Sequence, residues 1–153
     1  MEFYIDNRQE TFEVDDELNK LIESVIIKSL NVEGLSTEVE VSISFVDNVE
    51  IKELNKMYRN MDKATDVLSF PMDEDILVPM PLLGDIIISI ETAREQANEL
   101  GHSLNREICY LIAHSMFHLM GYDHMEEEEK KEMRLKEKQV MKDIGIFKAR
   151  EEE

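Results

Sequence analysis

Three of the four histidines fall within eleven residues, in the run His114-Ser115-Met116-Phe117-His118-Leu119-Met120-Gly121-Tyr122-Asp123-His124. Residues four apart on a helix lie one turn apart on the same face, so His114 and His118 can offer imidazole nitrogens to one ion. Gly121 can take the left-handed conformation that ends a helix and turns the chain back, which would bring His124 toward the same point. Three neutral imidazoles suit one Zn²⁺ per chain at about 2.0–2.1 Å and leave a fourth position for water, as a catalytic zinc requires and a structural zinc does not. A lone histidine on an apolar helix is ordinarily a satisfied core or surface residue. The i, i+4 pair followed by a third histidine after a glycine turn makes the metal site the better reading. His102, just after Gly101 at a helix junction, reads as a loop residue.

The ligand spacing H-x3-H-x2-G-x2-H is also that of the long zinc-protease motif, with one difference. In those proteases a glutamate directly follows the first histidine and deprotonates water at the metal. Here that position is Ser115, and a serine cannot act as that base at neutral pH. The spacing keeps the metal geometry and omits the peptidase base.

A second group of polar residues lies upstream, in Leu54-Asn55-Lys56-Met57-Tyr58-Arg59-Asn60-Met61-Asp62-Lys63-Ala64-Thr65-Asp66-Val67-Leu68-Ser69-Phe70-Pro71. Between Lys52 and Lys63 there are four basic residues (Lys52, Lys56, Arg59, Lys63) against two acidic ones (Glu53, Asp62). An arginine near a metal can clamp a phosphate through two parallel hydrogen bonds and stabilise charge developing in the transition state. The plainer roles stand beside that one: Arg59 in a salt bridge with Asp62 or Glu53, Thr65 and Asp66 capping the loop before a strand, Asn55 and Tyr58 packing on a helix surface. Spacing alone does not choose between them.

Elements of two periodicities must position these groups. Phe3 to Ile5 reads as a short strand, and Val39 to Phe45 alternates apolar and polar residues as a half-buried strand does. Val67 to Phe70 and Ile86 to Ile90 are compact β-branched or aromatic runs of a more buried kind. Between them Leu18, Leu21, Ile22, Val25, Ile26 and Leu30 form one apolar helical stripe. Further helices are expected over Asp47 to about Tyr58 and Thr92 to Leu100, each opening on a capping-box pattern (Asp47-x-x-Glu50, Thr92-x-x-Glu95). Two more follow, over Ser103 to Met120 and Glu126 to about Ile144, the last with acids at its start where the helix dipole favours them. All three prolines (Pro71, Pro79, Pro81) lie between Phe70 and Gly84, read as the one long loop. The order β-α-β-α-β-β-α-α-α gives an α+β fold: one domain over residues 1–153, with a small mixed four-stranded sheet, about five helices and a zincin-like metal helix.

Composition bounds what such a domain can be. At 153 residues, 42% apolar and 34% charged, the chain is globular and large enough for a real core. Its 35 acidic residues against 17 basic ones give a net charge of −18, which argues against binding nucleic acid through bulk charge. No apolar run approaches the roughly 20 residues that cross a bilayer. The start, Met-Glu-Phe-Tyr-Ile-Asp, has no basic or apolar signal region, and Cys109 is the single cysteine. A cytoplasmic location without membrane association is expected.

The two polar segments resemble the YbeY family of bacterial metal-dependent endoribonucleases. The matching residues are Leu54-Asn55, Tyr58-Arg59, Thr65-Asp66-Val67-Leu68-Ser69-Phe70-Pro71, Gly84-Asp85-Ile86 and His114-x3-His118-Leu119-x-Gly121-Tyr122-Asp123-His124, in family order. Ser115 and Ala64 replace a glycine and a proline usual in the family. The resemblance implies a zinc-dependent endoribonuclease acting on single-stranded RNA, in maturation of the 3′ end of small-subunit ribosomal RNA and in ribosome quality control. It implies His114, His118 and His124 as metal ligands, Arg59 as a functional residue, and ribosomal RNA as partner; the acidic surface would meet basic small-subunit ribosomal proteins. Asp123, Asp85 or Asp66 would orient a ligand imidazole or take a proton; the choice among them stays open. Two rival readings remain on the residues alone: a metallopeptidase-like hydrolase, weakened by Ser115, and a non-enzymatic ribosome-assembly factor whose metal is structural.

Overall fold

The computed structural model describes residues 1–72, 81–122 and 126–145. Within them the chain runs β1 (Glu2–Asn7), α1 (Asp16–Val32), β2 (Glu40–Val46), α2 (Asn48–Arg59), β3 (Val67–Pro71), β4 (Leu82–Ser89), α3 (Ile90–Leu100), α4 (Leu104–Leu119) and α5 (Glu127–Asp143). The order read from the two periodicities is the order observed. The sheet is mixed, arranged β1-β2-β4-β3, with β1, β2 and β4 parallel and β3 antiparallel at one edge.

Strand alternation gives this sheet two unlike faces. Val41, Ile43, Phe45, Ile86 and Ile88 are fully buried and join the main core with Leu18, Ile22, Val25, Ile26 and Leu30 of α1. The same core takes in Ile108, Leu111, Ile112, Met116 and Phe117 of α4, which makes α4 the most buried helix of the fold. Val46, Ile51 and Leu68 form a second, smaller cluster under α2, joined by Leu54, Phe70 and Ile87. Antiparallel register pairs Ser69 with Ile86 and Phe70 with Asp85. Ser69 therefore faces α4, whereas Phe70 and Asp85 share the α2 side.

Two start and stop signals differ from expectation. The helix expected from Thr92 begins at Ile90, because Ser89 is the N-cap and its hydroxyl accepts the Thr92 N–H at 3.2 Å. The Thr92 hydroxyl instead donates to Asn48 Oδ1 at 2.8 Å, tying α3 to the start of α2. Strand β4 accordingly ends at Ser89 and begins at Leu82, so Gly84 lies inside a strand rather than before one. At the start of α2, Asp47 accepts the Glu50 N–H at 2.8 Å, as the pattern there indicates. Asn60, with φ 58°, ends that helix in the left-handed conformation that asparagine tolerates better than most residues. The expected long loop between Phe70 and Gly84 is shortened at both ends by β3 and β4, and residues 73–80 lie outside the described residues.

Gly84 sets how closely α4 approaches the sheet. A Cβ at this position would lie 2.5 Å from the Phe70 carbonyl oxygen and 2.6 Å from Leu119 Cδ2. Neither distance is sterically possible. The glycine lets the last turn of α4 press onto the β3–β4 ladder, and that turn carries His118.

Candidate metal centre and its surroundings

Helix α4 begins at Ser103, whose hydroxyl accepts the Arg106 N–H at 3.1 Å, and stays apolar on its inner face to Leu119. His114 and His118 stand one turn apart on its outer side, both half-buried. Their Nε2 atoms are 3.1 Å apart, and the rings meet edge to face with centroids 4.6 Å apart.

Each ring is held by an acceptor at its other nitrogen. His114 Nδ1 lies 2.6 Å from Glu137 Oε2 on α5, and His118 Nδ1 lies 2.8 Å from the Tyr122 carbonyl oxygen. A neutral imidazole facing an acceptor at Nδ1 carries its hydrogen there, which leaves a lone pair at Nε2. Two such lone pairs directed at a common point 3.1 Å apart repel one another unless a cation lies between or beside them. Imidazoles in that tautomer, each held from behind, are the kind of donors a metal ion takes.

The chain reversal after α4 supplies the acceptor for His118. Gly121 takes φ 108°, a conformation that side chains other than hydrogen seldom adopt. The Gly121 N–H bonds the His118 carbonyl at 3.1 Å and the Tyr122 N–H bonds the Phe117 carbonyl at 3.0 Å, closing the helix. The Tyr122 ring packs edge to face on Phe117 at 5.9 Å, and its hydroxyl donates to Glu33 at 3.0 Å. Lys136 of α5 bonds both that hydroxyl and Glu33 and lies 4.9 Å over the ring. The hydrogen bond to Glu33 and the one to Tyr122 hold the Lys136 ammonium well above its usual pKa. Burial chiefly raises the Tyr122 phenol, so the cluster stays a lysine cation with a neutral tyrosine. Asp123 and His124, the remaining residues of the histidine run, lie outside the described residues. Among the described residues no group of three or more His, Cys, Asp or Glu is placed to hold a metal; His114 and His118 are the part of the expected ligand set that is described.

Arg59 ends α2 on the other side of the edge strand. Its guanidinium donates to the Ser69 carbonyl at 3.2 Å and lies 5.9 Å over the Phe70 ring, which in turn meets Tyr58 edge to face at 5.5 Å. The Ser69 carbonyl points off the open edge of β3, and its neighbours Phe70 and Pro71 line the gap that Leu119 fills beside Gly84. Arg59 thus binds β3 one residue before the Phe70 carbonyl that lies beside Gly84 and Leu119. Asn55 is buried and donates to the Lys63 carbonyl at 2.9 Å, pinning the loop that follows Arg59. Lys52 and Lys56 lie 3.9 and 4.0 Å from Asp62 in exposed pairs, worth little in energy.

The other carboxylates are placed differently. Asp85 is half-buried on the α2 side of the sheet, away from the face that α4 covers. Asp66 accepts from the Val67 N–H at 2.8 Å and from Gln96 at 3.2 Å, next to Ser89. That end of β4 is five residues from Gly84, about 16 Å at the rise of a strand. Asp66 therefore sits with the beginnings of α2 and α3, as does an open cleft of about 590 Å³ lined by Arg8, Asp47, Glu91 and Arg94. Neither adjoins the histidines.

Ser115 is fully buried on the core side of α4, and its hydroxyl has no hydrogen-bond partner among the described residues. The position after the first histidine thus points into the core and bears no carboxylate. Glu137 was not singled out by sequence. Its signal is present, since Met133, Glu137, Val140 and Met141 are the buried residues of α5, an apolar stripe with one acid inside it. The run of charges around it obscured that stripe.

A family profile described as Endoribonuclease YbeY matches residues 4–145. Relatives bearing the name Endoribonuclease YbeY include one from Finegoldia magna, 52% identical over 96% of this chain and 96% of its own length, and one from Clostridioides difficile, 49% identical over 95% and 98%. Among solved structures, that of TM1509 from Thermotoga maritima, determined in solution, superposes with a TM-score of 0.64 at 28% identity, covering 93% of this chain and 88% of that one.

Proposed function

The chain belongs to the YbeY endoribonuclease family, and from that premise we propose that it is a zinc-dependent endoribonuclease specific for single strands. It would act in maturation of the 3′ end of small-subunit ribosomal RNA and in ribosome quality control, as a single catalytic domain in the cytoplasm, alongside small-subunit proteins. The observation that carries the reading is the convergence of His114 and His118 through Nε2, with an acceptor behind each ring.

His114, His118 and His124 would hold the ion. When bound, zinc supplies a Lewis acid for the phosphoryl group and makes water acidic enough to act as a nucleophile near neutral pH. Arg59 would bind the non-bridging oxygens: one of its N–H groups is committed to Ser69, and the planar fork retains others for a phosphate. That bond and the Phe70 ring fix the guanidinium beside the edge strand, so little reorganisation is needed on binding. Asp123, Asp85 or Asp66 would take or return a proton; Asp66 is engaged with Gln96, and Asp85 pairs in register with Phe70, on which Arg59 lies. No helix among the described residues is long and apolar enough to cross a membrane. The peptidase alternative has no support at Ser115, which is buried and lacks a carboxylate.

Cleavage of an end-labelled single-stranded RNA by the zinc-loaded protein tests the proposal, with His118→Ala purified identically as control. Cutting is expected from the wild type and to fall by more than about 100-fold in the variant, since even residues behind the ligands are worth about 10–100-fold. Equal cutting by both proteins would refute it.

A further inference from the structure

Glu137 lies 23 residues beyond His114, on a different helix, and is 3% exposed. Its two oxygens are divided: Oε2 faces His114 Nδ1 at 2.6 Å, and Oε1 accepts the Tyr110 hydroxyl at 3.0 Å. Tyr110 also stacks on the His114 ring, with centroids 6.0 Å apart and planes 29° from parallel. Among the described residues no lysine or arginine forms a salt bridge with Glu137. A buried carboxylate whose described partners are an imidazole and a phenol is costly unless positive charge reaches it through one of them. A cation at the far nitrogen of His114 would provide that charge.

We infer that Glu137 is a positioning residue of the metal centre, and that Tyr110 holds it in place. The inference rests on the reading of His114 as a ligand. Glu137 fixes the Nδ1–H tautomer of His114, aims Nε2 at the point shared with His118, and raises the basicity of that nitrogen. Helix α5 is thereby part of the site. Met133, Val140 and Met141 bury its inner face, and Glu137 lies among them. At His118 the corresponding acceptor is the Tyr122 backbone carbonyl.

The test uses the full chain with Glu137→Gln and Glu137→Met. Glutamine keeps the volume but can face the imidazole with either its oxygen or its NH₂, so it no longer dictates a tautomer; methionine removes the acceptor. Long-range proton–nitrogen correlation spectra of the metal-free proteins report the His114 tautomer, and chelator competition reports zinc affinity. The wild type is expected to show the Nδ1–H form alone. Both variants are expected to show mixed tautomers, with zinc affinity lower by about 10–100-fold and the larger loss in Glu137→Met. A purely structural role would lower the metal-free melting temperature while leaving tautomer and affinity of the folded protein unchanged, and that result would overturn the inference. If the methionine variant does not fold, the glutamine variant decides by the same two readings. Should the wild type bind no zinc, the functional reading fails on its own, and the metal-free spectra still decide whether Glu137 sets the tautomer.

Discussion

Just before the first turn of α4, His102 Nε2 lies 2.8 Å from Glu107 Oε1, and farther along the helix His114 Nδ1 lies 2.6 Å from Glu137 Oε2. The residue types are the same and the nitrogens are opposite. At His102 the carboxylate takes the outer nitrogen, and Nδ1 is left buried without a partner among the described residues. At His114 it takes the inner nitrogen and leaves the outer one directed at His118. The exposures differ too: His102 is 4% exposed in its side chain and His114 21%. The first pair is local, five residues apart, and ties a helix to its own entry. The second joins two helices. The two pairs thus differ in which nitrogen the carboxylate occupies and in where the other one points.

The largest effects that would break this comparison come from the histidines. His114→Ala is expected to abolish measurable zinc binding while the fold is retained. His102→Leu is expected to cost about 1–3 kcal/mol in denaturant unfolding, since Glu107 loses its partner in the core, and to leave zinc affinity unchanged. Loss of zinc affinity in His102→Leu would erase the distinction.

Gly84→Ala acts on one end of α4 only. The added methyl meets the Phe70 carbonyl and Leu119, so the last turn must move outward, at a cost of about 1–3 kcal/mol. Zinc affinity is expected to fall with it, because His118 rides on that turn, while the His102 ring resonances stay in place. Cys109 gives the smallest effect and reports on the stretch between the two pairs. Burial pushes its thiol from 9.0 to about 12, the nearby Arg106 offsetting only part of this. At pH 8 the native protein is expected to resist iodoacetamide and the unfolded protein to react. Because the folded state holds this proton above its unfolded value, the contribution to stability is complete below about pH 9 and lost as pH rises toward 12. Rapid native alkylation at pH 8 would mean that this part of α4 is wet.

Much of this molecule is legible in its sequence because its signals are local. The nine elements follow from the two periodicities, and the His114–His118 pair follows from a four-residue spacing on a helix. What was not legible depends on tertiary contact. Ser89 rather than Thr92 caps α3, since the Thr92 hydroxyl is drawn to Asn48, 44 residues away in sequence. Gly84 reads as the residue before a strand, and its real constraint is Leu119, far along the chain. His102 reads as a loop residue, which its position bears out and its burial against Glu107 does not convey. Glu137 hides among the charges of α5, which obscure the stripe of Met133, Val140 and Met141 that carries it inward. The third expected ligand, His124, and Asp123 lie outside the described residues.

On the proposed function, the histidine end of α4 forms a zinc centre that cuts RNA. Its most direct test is a single titration in which zinc is added stepwise to metal-free protein, with bound metal and cleavage of a labelled single-stranded RNA measured on the same samples. Both are expected to rise together and to saturate at one zinc per chain, and both to be absent in His114→Ala. Cleavage that is complete before any zinc is bound, or zinc bound equally well by His114→Ala, would contradict the account.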